Sequence, residues 1–214
     1  MSRRSYDQYC AAARALDVVG DRWTLLIVRE LLAGPRRYTD LHADLPGVST
    51  DMLATRLKDL ERDGVAVRRR LAPPASSYVY ELTERGRDLL PVLQALGEWG
   101  GPLLAERRAT DAVRAHWFAL PVLRGLSGLG ESGVVAVRVD EGEFFVRVGL
   151  DGEPYGEGVF GAGEADVRLV LDAEVAGAIA RGERDVVAAA REGAVSVTGE
   201  GALAKALMAD PARG

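Results

Sequence analysis

The chain has 214 residues, of which 48% are hydrophobic and 28% charged, and its net charge at pH 7 is −5. This length allows one large domain or two small ones with separate cores, and the hydrophobic fraction is ordinary for a soluble globular protein. No apolar run approaches the roughly 18 residues of a membrane span, and the N-terminus lacks the apolar core of a signal peptide, so we expect a cytoplasmic protein without membrane contact.

Charge is divided unevenly along the chain. Residues 1–110 hold 17 Arg and Lys against 15 Asp and Glu, whereas residues 111–214 hold 10 against 17. The acidity therefore belongs to the second half, and basic clusters in the first half can still attract phosphate. We expect two domains, 1–110 and 111–214.

The first half predicts helices followed by a β-hairpin. Apolar residues recur at helical spacing over 10–19, 23–32 and 38–45, and Gly34-Pro35 interrupts the chain before the third helix. Pro46-Gly47 then forms a short turn to a fourth helix. Two helices joined by so short a turn are typical of a helix-turn-helix unit.

The fourth helix has one apolar and one polar face. Leu53, Leu57 and Leu60 follow the i, i+4, i+7 pattern of a core-facing stripe. Ser49 stands where an N-cap belongs, and Gly64 where a left-handed C-terminal residue belongs. The polar face carries Thr50, Asp51, Thr55, Lys58 and Arg62.

A basic hairpin and a further helix follow. Residues 65–71 and 78–82 predict two strands, joined by a turn over 73–77. Together with the preceding helices they form the outline of a winged helix-turn-helix, which points to DNA. Thr83 can cap a last helix that extends past Trp99, and Pro91 predicts a kink or an irregular first turn within it. This helix is apolar on more than one side, so it needs a partner: the same helix of a second subunit, or the second domain.

The second half predicts an α+β domain with a largely antiparallel sheet. Apolar residues alternate over 134–139, 144–150 and 167–171, helices follow near 173–181 and 184–191, and a strand at 194–198 precedes a helix at 201–208. The Gly-rich segment 125–130 has no preceding strand and is interpreted as a connector rather than a phosphate-binding loop.

Ordered blocks from Cys10 through Trp99 resemble the HxlR family of winged-helix transcriptional regulators. They include ALDVVGDRWT at 15–24, IVREL at 27–31, GPRRY at 34–38, LPGVS at 45–49, MLATRL at 52–57, LERDGV at 60–65, YELT at 80–83 and Gly86. The resemblance implies a homodimer that binds an inverted-repeat operator in double-stranded DNA and controls nearby genes.

Residues 112–209 resemble the sterol-carrier-protein fold, an α/β domain with an apolar tunnel. The residues that carry this likeness are LVLD at 169–172, IARG at 179–182 and GAVSVTGEG at 193–201. The resemblance implies a pocket, and not a reaction. Apolar residues that could line a tunnel, or simply form the core, are Trp117, Phe118, Leu123, Phe145, Phe160, Leu169, Ile179, Leu203 and Met208.

The expected DNA contacts fall in three groups. Side chains of the fourth helix are placed to meet base edges in the major groove, while Arg36 and Arg37 look like phosphate clamps. The wing arginines suit a minor groove or a flanking backbone, although at most two of three consecutive residues share a face of a strand. The full set is Arg36, Arg37, Ser49, Thr50, Asp51, Met52, Thr55, Arg56, Lys58, Arg68, Arg69 and Arg70. For any single arginine, the alternative is an ion pair on a solvated surface.

Cys10, the only cysteine, excludes an intramolecular disulfide and has two interpretations. In related proteins a cysteine at this position can be a redox or electrophile sensor, and Arg14 at i+4 could supply the positive charge that a thiolate needs. The alternative is a buried cysteine that behaves as a small apolar residue.

We expect no enzyme, no metal and no cofactor. His42 and His116 lie in different domains without metal-ligand spacing, and the carboxylates are scattered. The sequence therefore predicts a dimeric DNA-binding regulator that an apolar small molecule could control. The alternative function is a lipid- or metabolite-binding protein that uses its winged helix only to dimerise.

Overall fold

The computed structural model describes residues 5–104, 108, 110–158 and 164–209. The chain forms two compact units, Met1–Pro91 and Val92–Gly214. This boundary lies near the start of a helix that the sequence assigns to the first domain. The functional domain limits 1–110 and 111–214 stay a prediction.

The first unit consists of short helices and one hairpin. Its elements are α1 (Ala11–Val19), α2 (Thr24–Leu32), α3 (Tyr38–Asp44), α4 (Thr50–Arg62), β1 (Ala66–Arg70), β2 (Tyr78–Leu82) and α5 (Glu84–Arg87). The next helix, α6 (Leu90–Gly100), begins just before the boundary between the units. Pro91 lies in the first turn of α6, where its missing N–H leaves no hydrogen bond unmade, so the chain breaks between α5 and α6 instead of kinking within one helix.

Helix α4 begins and ends where its sequence predicts. The Ser49 hydroxyl accepts a hydrogen bond from the backbone N–H of Met52 at 3.3 Å. At the other end Gly64 has φ +68°, and the Val65 N–H donates to the carbonyl of Leu60 at 2.9 Å. Both ends of α4 are therefore closed by local hydrogen bonds.

The core of the first unit forms around α2 and α4. Leu53, Leu57 and Leu60 are at most 1% exposed, which confirms the predicted apolar stripe. Other buried side chains come from α2, α3, the turn after α3 and β2: Ile27, Val28, Leu31, Leu32, Leu41, Leu45, Val79 and Leu82. Burial of the stripe directs the opposite face of α4 outward.

The wing is an antiparallel hairpin extended by one further bridge. Strands β1 and β2 pair in a register that places Arg68 opposite Tyr80. The Arg36 N–H donates to the Tyr80 carbonyl at 3.0 Å, and the Tyr80 N–H donates to the Arg36 carbonyl at 2.8 Å. The segment before α3 is thereby tied to the wing.

The second unit combines a five-stranded sheet with helices. Its elements after α6 are α7 (Ala119–Leu126), β3 (Gly133–Val139), β4 (Gly142–Val148), β5 (Tyr155–Glu157), β6 (Val167–Val170), α8 (Ala173–Ala180), α9 (Val186–Arg191), β7 (Ser196–Thr198) and α10 (Ala202–Met208). The strand order is β5-β4-β3-β6-β7, with β3 and β6 parallel and the other pairs antiparallel. The sheet is therefore largely antiparallel.

Strand β5 and helix α7 were not predicted from the sequence. Strand β5 has only three residues, too few to show alternation. Helix α7 contains Pro121 and Gly125, which disfavour a helix on propensity alone, yet five of its residues are buried. Tertiary packing overrides propensity here.

Across the described residues, none of the helices has both the length and the apolar character required to cross a bilayer. The same residues contain no group of three or more His, Cys, Asp or Glu side chains arranged to hold a metal ion.

Candidate nucleic-acid interface

The outward face of α4 is polar near its N-terminus. Thr50, Asp51, Met52, Thr55 and Lys58 are all exposed, whereas Leu53, Leu57 and Leu60 are buried. In a helix-turn-helix the N-terminal residues of the second helix contact base edges. Five of the predicted contacts thus share one accessible surface.

Helix α3 holds the start of α4 through a bond that the sequence analysis missed. The Tyr38 hydroxyl donates to the backbone carbonyl of Thr50 at 2.8 Å, and the Tyr38 ring stacks on His42 with centroids 6.4 Å apart. Tyr38 therefore connects the two helices of the helix-turn-helix. No local pattern signals this bond, because its partner is a backbone atom in the next helix.

Two arginines of α4 are engaged by carboxylates. Arg56 forms ion pairs with Asp21 and, at 3.1 Å, with Asp59, and its side chain is only 16% exposed. Arg62 forms ion pairs with Asp59 at 2.8 Å and with Asp63 at 3.3 Å. The hydrogen bond and charge of Asp63 raise the pKa of Arg62 above its ordinary value. Arg56, a predicted contact, thus lies in an ion-pair network beside the exposed face.

The two arginines before α3 differ in exposure. Arg36 is half-buried and bridges to the wing, whereas Arg37 is exposed at the N-terminus of α3. The backbone N–H of Arg37 donates to the Asp40 carboxylate at 3.2 Å, and the residue is exposed. Exposed arginine at a helix N-terminus suits a phosphate oxygen.

The three wing arginines divide between two faces of β1. Arg68 and Arg70 share a face with Tyr78, and the Arg68 guanidinium lies 4.0 Å from the centre of the Tyr78 ring. Arg69 lies on the other face and donates two hydrogen bonds to Glu81, at 2.9 and 3.0 Å. The bond to Glu81 and its charge raise the pKa of Arg69. Arg70 is exposed and forms no ion pair with any described residue.

Cys10 lies at the N-cap position of α1 and is exposed. The Arg14 side chain, expected to face it, instead donates to the Ser5 hydroxyl at 3.2 Å and lies 3.6 Å from Asp17. The thiol is accessible, whereas Arg14, the cation expected beside it, contacts Ser5 and Asp17.

The predicted pocket residues of the second unit do not share one surface. Leu123, Leu169, Ile179 and Leu203 are buried, Trp117 and Phe118 are half-buried, and Met208 is 49% exposed. Phe145 is half-buried and alternates with the buried residues of β4, so it lies on the opposite face of the sheet from Leu169. The guanidinium carbon of Arg147 lies 4.7 Å from the centre of the Phe145 ring. Phe160 lies outside the described residues.

The fold and the exposed face of the first unit define a winged helix-turn-helix regulator. A family model described as HxlR-like helix-turn-helix matches residues 18–108. The chain is 37% identical over 86 residues to the uncharacterized regulator YvaP of Bacillus subtilis, covering 40% of this chain and 80% of YvaP. The chain belongs to the HxlR family of transcriptional regulators.

Other relatives match the same share of the chain. Rv3095 of Mycobacterium tuberculosis, an uncharacterized HTH-type regulator, is 39% identical over 94 residues, covering 44% of this chain and 59% of that relative. The solved structure of the reduced regulator YodB from B. subtilis is 31% identical, covers 47% of this chain and all of that one, and has a TM-score of 0.41. The family match ends at residue 108, so it does not describe the rest of the second unit.

We expect Arg70→Gln and Arg69→Gln to affect DNA binding differently. Loss of Arg70 should reduce the slope of log K against log[salt] by about 1, the value for one phosphate contact, because its charge is unpaired within the described chain. Arg69→Gln is the matched comparison and should reduce the slope by less, because Arg69 is already paired with Glu81 in the native chain. Fluorescence anisotropy on one labelled duplex, titrated at several salt concentrations, measures both slopes. Equal changes in the two variants would show that the Glu81 pair does not withhold Arg69 from DNA.

Proposed function

We propose that this protein is a dimeric, sequence-specific DNA-binding transcriptional regulator that recognises an inverted repeat. The observation that carries the proposal is the exposed polar face of α4, which is flanked by exposed Arg37 and by Arg68 and Arg70 of the wing. A helix in the major groove with basic groups on either side is the docking arrangement of winged helix-turn-helix proteins. Membership of the HxlR family supports the same function.

The net charge of −5 is compatible with DNA binding because the acidity is concentrated after residue 110. Affinity depends on local positive charge near the phosphates rather than on the charge of the whole chain. Exposed Arg37 and Arg70, together with the wing and α4, supply that local charge.

Dimerisation is supported by an apolar stripe along α6 and the turn that follows it. Val92, Leu96, Trp99 and Leu103 follow one another at helical spacing and are 44–75% exposed. Such a stripe favours pairing with the same helix of a second copy, and a two-fold dimer would then present two α4 helices about 34 Å apart, one turn of DNA. Packing of this helix on another surface of the same chain is the alternative.

The function is tested by binding of the full chain to DNA from upstream of its own gene. We expect specific binding whose affinity falls steeply with salt, by about 10³-fold or more between 50 and 200 mM if six or more phosphates are contacted. A scrambled duplex is the control and should bind weakly. Absence of any preference for the upstream DNA at low salt would instead favour a lipid-binding protein that keeps its winged helix only for dimerisation.

The dimer is tested in the same experiment with Trp99→Glu. A charge on the exposed stripe should convert the dimer to a monomer in sedimentation velocity and weaken operator binding by at least about tenfold, because one half-site is lost. Gln94→Glu, which adds the same charge on another side of α6, should leave both properties unchanged. A dimeric Trp99→Glu protein would contradict this assignment of the interface.

We also propose that an apolar small molecule binds in the second domain and controls DNA affinity. The support is the likeness to sterol carriers in the sequence, together with half-buried Trp117 and Phe118 beside a buried apolar core. Allosteric coupling typically changes affinity by about 5- to 150-fold. We expect a fluorescent long-chain fatty acid to bind the full chain saturably and to change operator affinity within that range. No binding of the probe would contradict the proposal.

We also propose that oxidation of Cys10 controls DNA binding. Its support is the accessible thiol at the start of α1, since accessibility is required for reaction with an oxidant. Without a second cysteine in the chain, a disulfide must join two subunits. We expect mild diamide to lower operator binding and to produce a covalent dimer on non-reducing gels, and we expect Cys10→Ser to bind normally without either response. An unchanged oxidant response in Cys10→Ser would remove the proposal.

A further inference from the structure

The one arginine in the N-terminal half of α4 is held in ion pairs. The arginine nearest the base-reading residues, Arg56, is held by Asp21 and Asp59 and has little exposed surface. Arginine that pairs bidentately with O6 and N7 of guanine is the commonest base-specific contact in the major groove. Arg56 would have to leave two carboxylates to make that contact.

Met52 instead offers an apolar contact in the same region. Its side chain is 41% exposed although the residue lies in the first turn of the helix, and its backbone N–H is bound to Ser49. The exposed part of Met52 is apolar, and the apolar group on a major-groove base edge is the 5-methyl group of thymine. Met52 and a thymine methyl are therefore matched in chemistry.

The hydroxyl hydrogen of Thr55 is used in a hydrogen bond within the helix. Its Oγ1 donates to the backbone carbonyl of Asp51 at 2.7 Å. The exposed side chain can then offer the groove a methyl group and an acceptor oxygen, but no donor. It suits a thymine methyl or the amino group of adenine or cytosine, and it does not suit the two acceptors of guanine.

Asp51 and Lys58 complete the exposed stripe. The Asp51 carboxylate only accepts, so it can take a hydrogen bond from a base amino group and would repel guanine O6 and N7. Lys58 is exposed and lies two turns further along, about 10 Å from Asp51 along the helix axis, where a flexible ammonium can reach a phosphate.

We propose that the first turns of α4 read thymine 5-methyl groups through Met52 and the Thr55 methyl, and a base amino group through Asp51, so that none of these three side chains contacts guanine O6 or N7. This readout rests on the proposed function, since it presupposes specific binding to duplex DNA. In this readout α4 contacts the base edges, and the basic residues around α4 attract the phosphates.

The experiment uses the full chain and its footprinted upstream DNA. Each thymine of a half-site is replaced in turn by deoxyuridine, which removes only the 5-methyl group, and each guanine by 7-deazaguanine, which removes the N7 acceptor. We expect at least one deoxyuridine position per half-site to weaken binding by about fourfold, which corresponds to one buried carbon. Any effect of 7-deazaguanine should be unchanged by substitution of Met52 or Thr55, because neither side chain contacts N7.

Variants of the two reading residues test the assignment directly. Met52→Ala should bind the thymine operator more weakly and lose its sensitivity to deoxyuridine at one position. Thr55→Ser removes the methyl group, retains the hydroxyl that bonds to Asp51, and should lose sensitivity at a second position. Both residues are exposed, and equal thermal unfolding of the variants and the native chain verifies that the fold is kept.

Lys58→Ala is the matched control on the same exposed stripe. It should weaken all duplexes uniformly, reduce the salt slope by about 1 and keep the full sensitivity to deoxyuridine. Specific binding that is unaffected by every deoxyuridine, or whose sensitivity to deoxyuridine is the same in Met52→Ala, Thr55→Ser and the native chain, overturns the proposed readout while the regulator function stands. Absence of specific binding by the native chain overturns the regulator function itself.

Discussion

Burial of one leucine stripe determines which face of α4 is exposed. Leu53, Leu57 and Leu60 of α4 are almost fully buried, and the helical repeat then places every polar residue of α4 in a known direction. Rotating the helix to hide its polar face would expose three leucines, each of which loses about 1.5–3 kcal/mol when it leaves the core. The core consequently fixes the direction of the exposed face, and the bond between Tyr38 and the start of α4 supports it.

Ion pairing then divides the basic residues into two groups. Arg56 and Arg69 are engaged by carboxylates of the same chain, whereas Arg37 and Arg70 have exposed side chains on the surface around α4. A composition count treats all of these residues alike. In the proposed complex with DNA, the second group attracts the phosphates, and the uncharged or acidic side chains of α4 face the bases.

Much of the first unit could be predicted because its signals are local. The stripe of α4, its Ser49 cap and the positive φ of Gly64 each depend on residues within one or two turns, and all three are present. Helix α7 could not be predicted because its signal is not local. Pro121 and Gly125 disfavour a helix, and the helix forms because its apolar residues are buried against the sheet. The proposed pocket residues were chosen for apolar character alone, which does not distinguish the two faces of a sheet, and Phe145 and Leu169 lie on opposite ones.

The sequence by itself determined the helix-turn-helix, the wing, the family and the division of charge between the two halves, because helical period, strand alternation and turn residues act over short distances. Only the tertiary structure decided which arginines are paired with carboxylates. Asp21 lies far from Arg56 in the chain and Glu81 far from Arg69, and a salt bridge forms between side chains that the fold brings within 4 Å, whatever their separation in sequence. The polar face of α4 was therefore predictable, and the ion pairs of the arginines around it were not.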